Sequence, residues 1–128
     1  MKKILLAFLL ILGACSQNNP DKIKPGSYKM LNSMYDVPTI LLFSEDGSLS
    51  GKVVNVIMGK YELNGNNIII NPTGTTMMMG SEKEMDAEQN FIKALMLVKT
   101  FKMHENRLSL ILENGTELIF EPYTEPKE

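Results

Sequence analysis

Asp46-Gly47, Asn64-Gly65 and Asn114-Gly115 each stand between short apolar runs, and these three dipeptides constrain the fold more than any other feature of the 128-residue chain. Asn-Gly and Asp-Gly supply the positive φ angles that tight hairpins require, so each marks a place where one strand folds back on the next. Thr39 to Phe43 reads as a strand that ends in Glu45-Asp46-Gly47. Lys52 to Met58 and Lys60 to Leu63 read as further strands, and Asn64-Gly65-Asn66 turns the chain into Ile68-Ile69-Ile70. Leu108, Leu110 and Leu112 alternate on one face before Asn114-Gly115, and Leu118 and Phe120 alternate on the returning strand. The pattern from Ser27 onward predicts a mainly β domain of antiparallel strands.

One segment departs from that period and makes the fold α+β. Ser81-Glu82-Lys83-Glu84 matches a capping box, in which the serine oxygen and the Glu84 side chain satisfy free amides at a helix start. A helix from there to about Val98 gathers Met85, Phe91, Ile92, Leu95, Met96 and Val98 on one side, and it should pack on the sheet. Glu88 falls in the middle of that apolar face. A carboxylate there must be hydrogen-bonded or protonated, because burying it unpaired is costly. Two roles follow: an acid working in a pocket, or a structural bond to backbone amides, Asn55 or Tyr61 that locks helix to sheet. The structural role is the preferred reading. Glu82, Glu84 and Asp86 add negative charge where the helix dipole favours it.

The N-terminus carries an address. Lys2 and Lys3 precede nine apolar residues, Ile4 to Leu12, and then Gly13-Ala14-Cys15, which resembles the lipobox of bacterial lipoproteins. Nine residues are too few for a bilayer span of about 20. The expectation is a cleaved leader over 1–14, acylation of Cys15, and a polar tether over 15–24, placing the domain over 25–122 and an acidic tail over 123–128. Two or more acyl chains hold a protein stably at a membrane. The expected location is the bacterial envelope, lipid-anchored at the outer membrane. Loss of the two leader lysines leaves 11 of the 13 basic residues against 15 acidic ones, a net charge of −4. That balance argues against nucleic acid and provides no polybasic lipid-binding patch.

Taken together, these residues make the chain similar to the META domain family, which includes heat-shock lipoproteins of the HslJ type. The resemblance rests on Gly26-Ser27-Tyr28, Thr39 to Gly51, Val54-Asn55, Gly59-Lys60-Tyr61, Thr76 to Gly80, the Glu88, Phe91, Leu95 helix spacing, and the closing hairpin. Val54 and Gly80 stand where the family pattern carries cysteines, so a bridge there cannot form in this chain. The resemblance implies a β-barrel-like sheet with one helix, an envelope location and a link to stress tolerance. It implies no catalytic residues.

Other chemistry is thin. Met77-Met78-Met79 offers soft thioethers that suit Cu(I), but on a strand Met77 and Met79 face one side and Met78 the other. Methionines filling core space beside the helix is the preferred reading, with no metal site. His104 is expected as a solvated residue near a turn. No serine-histidine-acid arrangement, phosphate loop or metal-spaced motif is present, and no cofactor is expected. The sequence therefore points to a non-enzymatic envelope lipoprotein that binds a protein or a small hydrophobic ligand. A hydrolase using Glu88 and a methionine-rich copper handler are the rivals.

Overall fold

The computed structural model describes residues 22–124. Cys15, the leader and most of the expected tether lie outside those residues, as does the end of the acidic tail. Eight antiparallel strands close into a barrel: β1 (Gly26–Met30), β2 (Ile40–Phe43), β3 (Ser48–Lys52), β4 (Val56–Asn64), β5 (Asn67–Thr75), β6 (Val98–His104), β7 (Arg107–Leu112) and β8 (Glu117–Pro122). Each strand pairs with its neighbours in chain order, and β8 returns to β1 through Met30 opposite Phe120. Closure goes beyond the barrel-like sheet expected from sequence, with β5 and β6 forming its narrowest seam.

The hairpin turns fall where the Gly dipeptides put them, with Gly47, Gly65 and Gly115 all at positive φ. Alternation then sends one face of each strand inward. Leu108, Leu110 and Leu112 of β7 and Leu118 and Phe120 of β8 are buried, as are Leu41, Phe43, Ile68, Ile70 and Phe101. Eight strands enclose a space just wide enough for side chains to fill. The Phe43 ring stands edge-on between Tyr28 and Tyr61, at 5.9 and 5.1 Å between centroids, and occupies the middle of one end. Ile23, assigned to the tether by sequence, is buried in this core.

The helix α1 (Glu82–Leu97) begins with the predicted capping box, Ser81 accepting from the Glu84 amide and Glu84 accepting from the Ser81 amide. It interrupts the barrel between β5 and β6, whose only paired residues are Asn67 and Thr100. The helix packs against β5, β7 and the 3-10 turn at Met34–Asp36, and it sends Phe91 and Leu95 into the core. Its buried face is Ala87, Glu88, Phe91 and Leu95. Met96, expected on that face, is exposed.

Three local expectations are corrected. Lys52 to Met58 is no single strand: β3 ends at Lys52, β4 starts at Val56 directly opposite it, and Val53-Val54-Asn55 makes the turn. Lys60 to Leu63 belongs to the same β4, which runs through Gly59 with a register shift between Met58 and Gly59. Met77 to Met79 forms no strand, because β5 ends at Thr75, and the three side chains are exposed instead of filling the core. β5 also continues through Pro72, opposite Gly59 at the register shift, where the ladder is already irregular and a residue without an N–H is tolerated.

Candidate functional site

A polar knot ties the β3–β4 turn, the segment after β5 and the helix together. Glu88 is 2% exposed and Asn55 is 3% exposed. Oε1 of Glu88 accepts from the backbone amides of Val54 at 3.0 Å and Asn55 at 2.6 Å, and Oε2 accepts from the Asn55 side-chain amide at 2.8 Å. Asn55 passes the connection on. Its Oδ1 accepts from the Met78 amide and the Thr76 hydroxyl, and its Nδ2 also donates to the Met78 carbonyl at 3.2 Å. The side chain of Asn55 thus acts as a surrogate strand for Met78.

This arrangement explains a turn that contains no turn residue besides Asn55. Val53 and Val54 are β-branched and favour strands. The turn forms because a carboxylate more than thirty residues later in the chain collects two consecutive backbone amides that would otherwise lack partners. Among the described residues, no buried side-chain oxygen or nitrogen is left without a hydrogen bond. Of the sequence candidates, Glu88 and Asn55 meet here as the structural reading expected. Tyr61 does not. Its hydroxyl donates to the Ser44 carbonyl at 2.6 Å beside the β2–β3 turn, because β4 carries it to the opposite end of the barrel. Burial, together with the nearby Asp46 and Glu45 charges, pushes the Tyr61 pKa up, and burial first, then Tyr61, does the same for Tyr28.

Outside the knot lies a groove of about 250 Å³, lined by Met77, Met78, Met79, Met85, Gln89 and Ile92 over a floor that includes Asn55 and Glu88. A second groove, about 340 Å³, runs between the helix and the 3-10 turn and is lined by Met30, Met34, Phe91, Ala94 and Leu118 among others. The 3-10 turn holds Tyr35 and Asp36 at φ of 55° and 56°, an unusual conformation for residues other than glycine. Contacts to the helix fix it: Tyr35 donates to Asp86 at 3.2 Å, and the Lys83 ammonium lies 5.9 Å from the Tyr35 ring centre. The second groove and this strained turn carried no sequence signal. His104 is exposed at the far end, 3.7 Å from Glu105.

The family profile of the META domain matches residues 25–125, and the chain belongs to that family. Solved structures share the fold. A protein from Burkholderia xenovorans, determined by NMR, superposes with a TM-score of 0.67 at 20% identity, over 80% of this chain and 85% of that one. A DUF4847 family protein from Bacteroides vulgatus gives a TM-score of 0.54 at 23% identity, over 69% of this chain and 61% of that one. No curated protein matches the chain in sequence.

Proposed function

We propose that this META domain is a non-enzymatic binding module, lipid-anchored through Cys15 at the outer membrane of a bacterial envelope and used in stress tolerance. The observation that carries the reading is how Glu88 is used. It is 2% exposed, and both its oxygens accept N–H bonds from Val54 and Asn55. A carboxylate so committed fastens the helix to the barrel and is a poor general base, which must reach a substrate proton. The barrel interior is filled with apolar side chains, so a small hydrophobic ligand or a protein partner has to meet the outer grooves beside the helix.

Topology separates the N-terminal entry from the methionine-lined groove. The chain enters at the β1 start, where Gly26 pairs with Phe43 near the β2–β3 turn. The methionine-lined groove sits at the other end of β3 and β4, where Lys52 pairs with Val56 and Ile57 pairs with Thr75. An anchor at Cys15 would join the domain at the end opposite the groove. Among the described residues, no helix is long and apolar enough to cross a membrane.

The test has two arms. Metabolic labelling with a radioactive fatty acid should mark the wild type and miss Cys15→Ser; a labelled Cys15→Ser, or an unlabelled soluble wild type, overturns the anchor. A photo-crosslinking residue placed at Gln89 or Asn90 should give discrete adducts in cells, while one at Glu45 on the opposite end should not. Equal labelling from both ends would remove the grooves from consideration.

A further inference from the structure

Methionine is sorted to the wrong side of this protein. Among the described residues, one of the twenty buried apolar residues is methionine, Met30, whereas six of the twelve large exposed ones are: Met34, Met58, Met77, Met78, Met79 and Met96. Methionine ordinarily ranks with leucine and phenylalanine among buried residues, so packing does not account for this distribution. The extreme is the loop after β5, where Met77 is 95%, Met79 86% and Met78 60% exposed.

We propose that the Met77-Met78-Met79 loop is an oxygen-acceptor site, a set of solvent-presented thioethers that consume hypohalous acid before it reaches the core. The same side chains line one groove of the binding reading, and the proposal does not depend on that reading. The sulfur lone pair displaces hydroxide from the halogen of hypochlorous acid to give a chlorosulfonium ion. Water then adds at sulfur and chloride leaves, so that thioether and hypochlorous acid become sulfoxide, one proton and chloride. Sulfur loses two electrons and chlorine gains them. Methionine sulfoxide is returned to the thioether by sulfoxide reductases, so the site is renewable.

Two features fit this chemistry. Exposure sets thioether susceptibility, and nothing covers Met77 or Met79. The loop backbone is held independently of its side chains: Asn55 grips both the amide and the carbonyl of Met78, and Thr76 donates to Asn55 at 2.9 Å. Oxidation makes an apolar side chain polar, which disrupts a core but costs little on a side chain already in water. Met77 and Met79, standing free, present separate reactive sulfurs more readily than a converging ligand set.

Full-length protein is titrated with hypochlorous acid and mapped by peptide mass spectrometry, with thermal melting on the same samples. Oxygen should appear first at Met77, Met78 and Met79, with Met77 and Met79 about tenfold or more ahead of Met30, and the melting transition should persist. Methionine sulfoxide reductases should then restore the original mass. The triple variant Met77→Leu, Met78→Leu, Met79→Leu, checked for an unchanged melt, should protect an added oxidant-sensitive enzyme less well than the wild type at equal concentration. The proposal is overturned if Met30 oxidises in step with the loop, if loop oxidation unfolds the domain, or if the triple variant protects equally. Loop sulfurs that resist the oxidant but bind Ag(I) would mark a soft-metal site and overturn it as well.

Discussion

Replacing Glu88 by alanine removes one acceptor group and strands three N–H donors. Two of them, the backbone and side-chain amides of Asn55, belong to a residue only 3% exposed, while the third, the Val54 amide, is half-buried. Each buried donor left unpaired costs about 1–3 kcal/mol, and Val54 can recover water, so the loss should total about 2–5 kcal/mol. Alanine is the better helix former, so propensity works slightly against this loss and cannot produce it. A domain of this size loses about 4–8 °C of melting temperature per kcal/mol, so the transition should fall by about 8–40 °C. Glu88→Gln keeps one acceptor oxygen and turns an amide NH2 toward neighbouring donors, so it should fall between wild type and alanine. Thermal melting by circular dichroism at neutral pH, with Asn55→Ala and the double variant, completes the test. Glu88 and Asn55 share one network, so the double variant should lose less than the two singles combined, by about 0.5–3 kcal/mol. A Glu88→Ala protein that melts with the wild type, or strict additivity with Asn55→Ala, would refute the knot as the fastening between helix and barrel.

Val54→Cys with Gly80→Cys, in a chain carrying Cys15→Ser, should oxidise to an intramolecular disulfide. A Cβ on Gly80 would lie 3.0 Å from Val54 Cγ2, one carbon–carbon bond of about 1.5 Å from Val54 Cβ, which puts the two Cβ atoms no more than about 4.5 Å apart. Glu84 Oε1, 2.9 Å from the same point, has to swing aside, and two free thiols by mass spectrometry after mild oxidation would show that it does not. Gly59→Ala should cost about 1–3 kcal/mol or more in denaturant unfolding, because its Cβ would meet the Asn71 carbonyl oxygen at 2.7 Å. At high pH the pKa values of Tyr28 and Tyr61, raised chiefly by burial, make their contribution complete below about pH 10 and progressively lost as pH rises through the folded values. Tyr28→Phe and Tyr61→Phe should each flatten that alkaline loss; unchanged curves would contradict it. In acid the sign reverses: Ser48 lowers the Asp46 pKa and Ser81 lowers that of Glu84, so stability present at neutral pH should fall as pH drops through those lowered values, less steeply in Ser48→Ala.

Local chemistry was enough for much of this protein. Asp46-Gly47, Asn64-Gly65 and Asn114-Gly115 specify their turns through glycine φ, helped by Asp46 and Asn114 accepting from the Ser48 and Thr116 amides; Ser81 and Glu84 specify the helix start through two short-range hydrogen bonds, and the alternation of Leu108, Leu110 and Leu112 specifies which face is core. These signals act within a few residues, so they are legible without partners. Glu88 announced itself by sitting among apolar neighbours on one helical face, and its need for donors followed from burial cost.

Which donors it found was decided only in three dimensions. Val53-Val54-Asn55 has strand-forming residues and becomes a turn because the helix delivers Glu88 to its amides. Tyr61 was separated from Glu88 because β4 is one continuous strand that carries it to the other end of the barrel. Met77 to Met79 read as core filler by composition, yet they project into solvent because Asn55 diverts the chain away from the sheet after Thr75. Closure of the barrel was likewise a tertiary outcome, since β1 and β8 meet across nearly all of the described residues and no local pattern encodes that pairing. The lipobox-like pattern ending in Cys15 lies outside the described residues and remains a property of sequence alone, because it rests on the types and order of a few neighbouring residues.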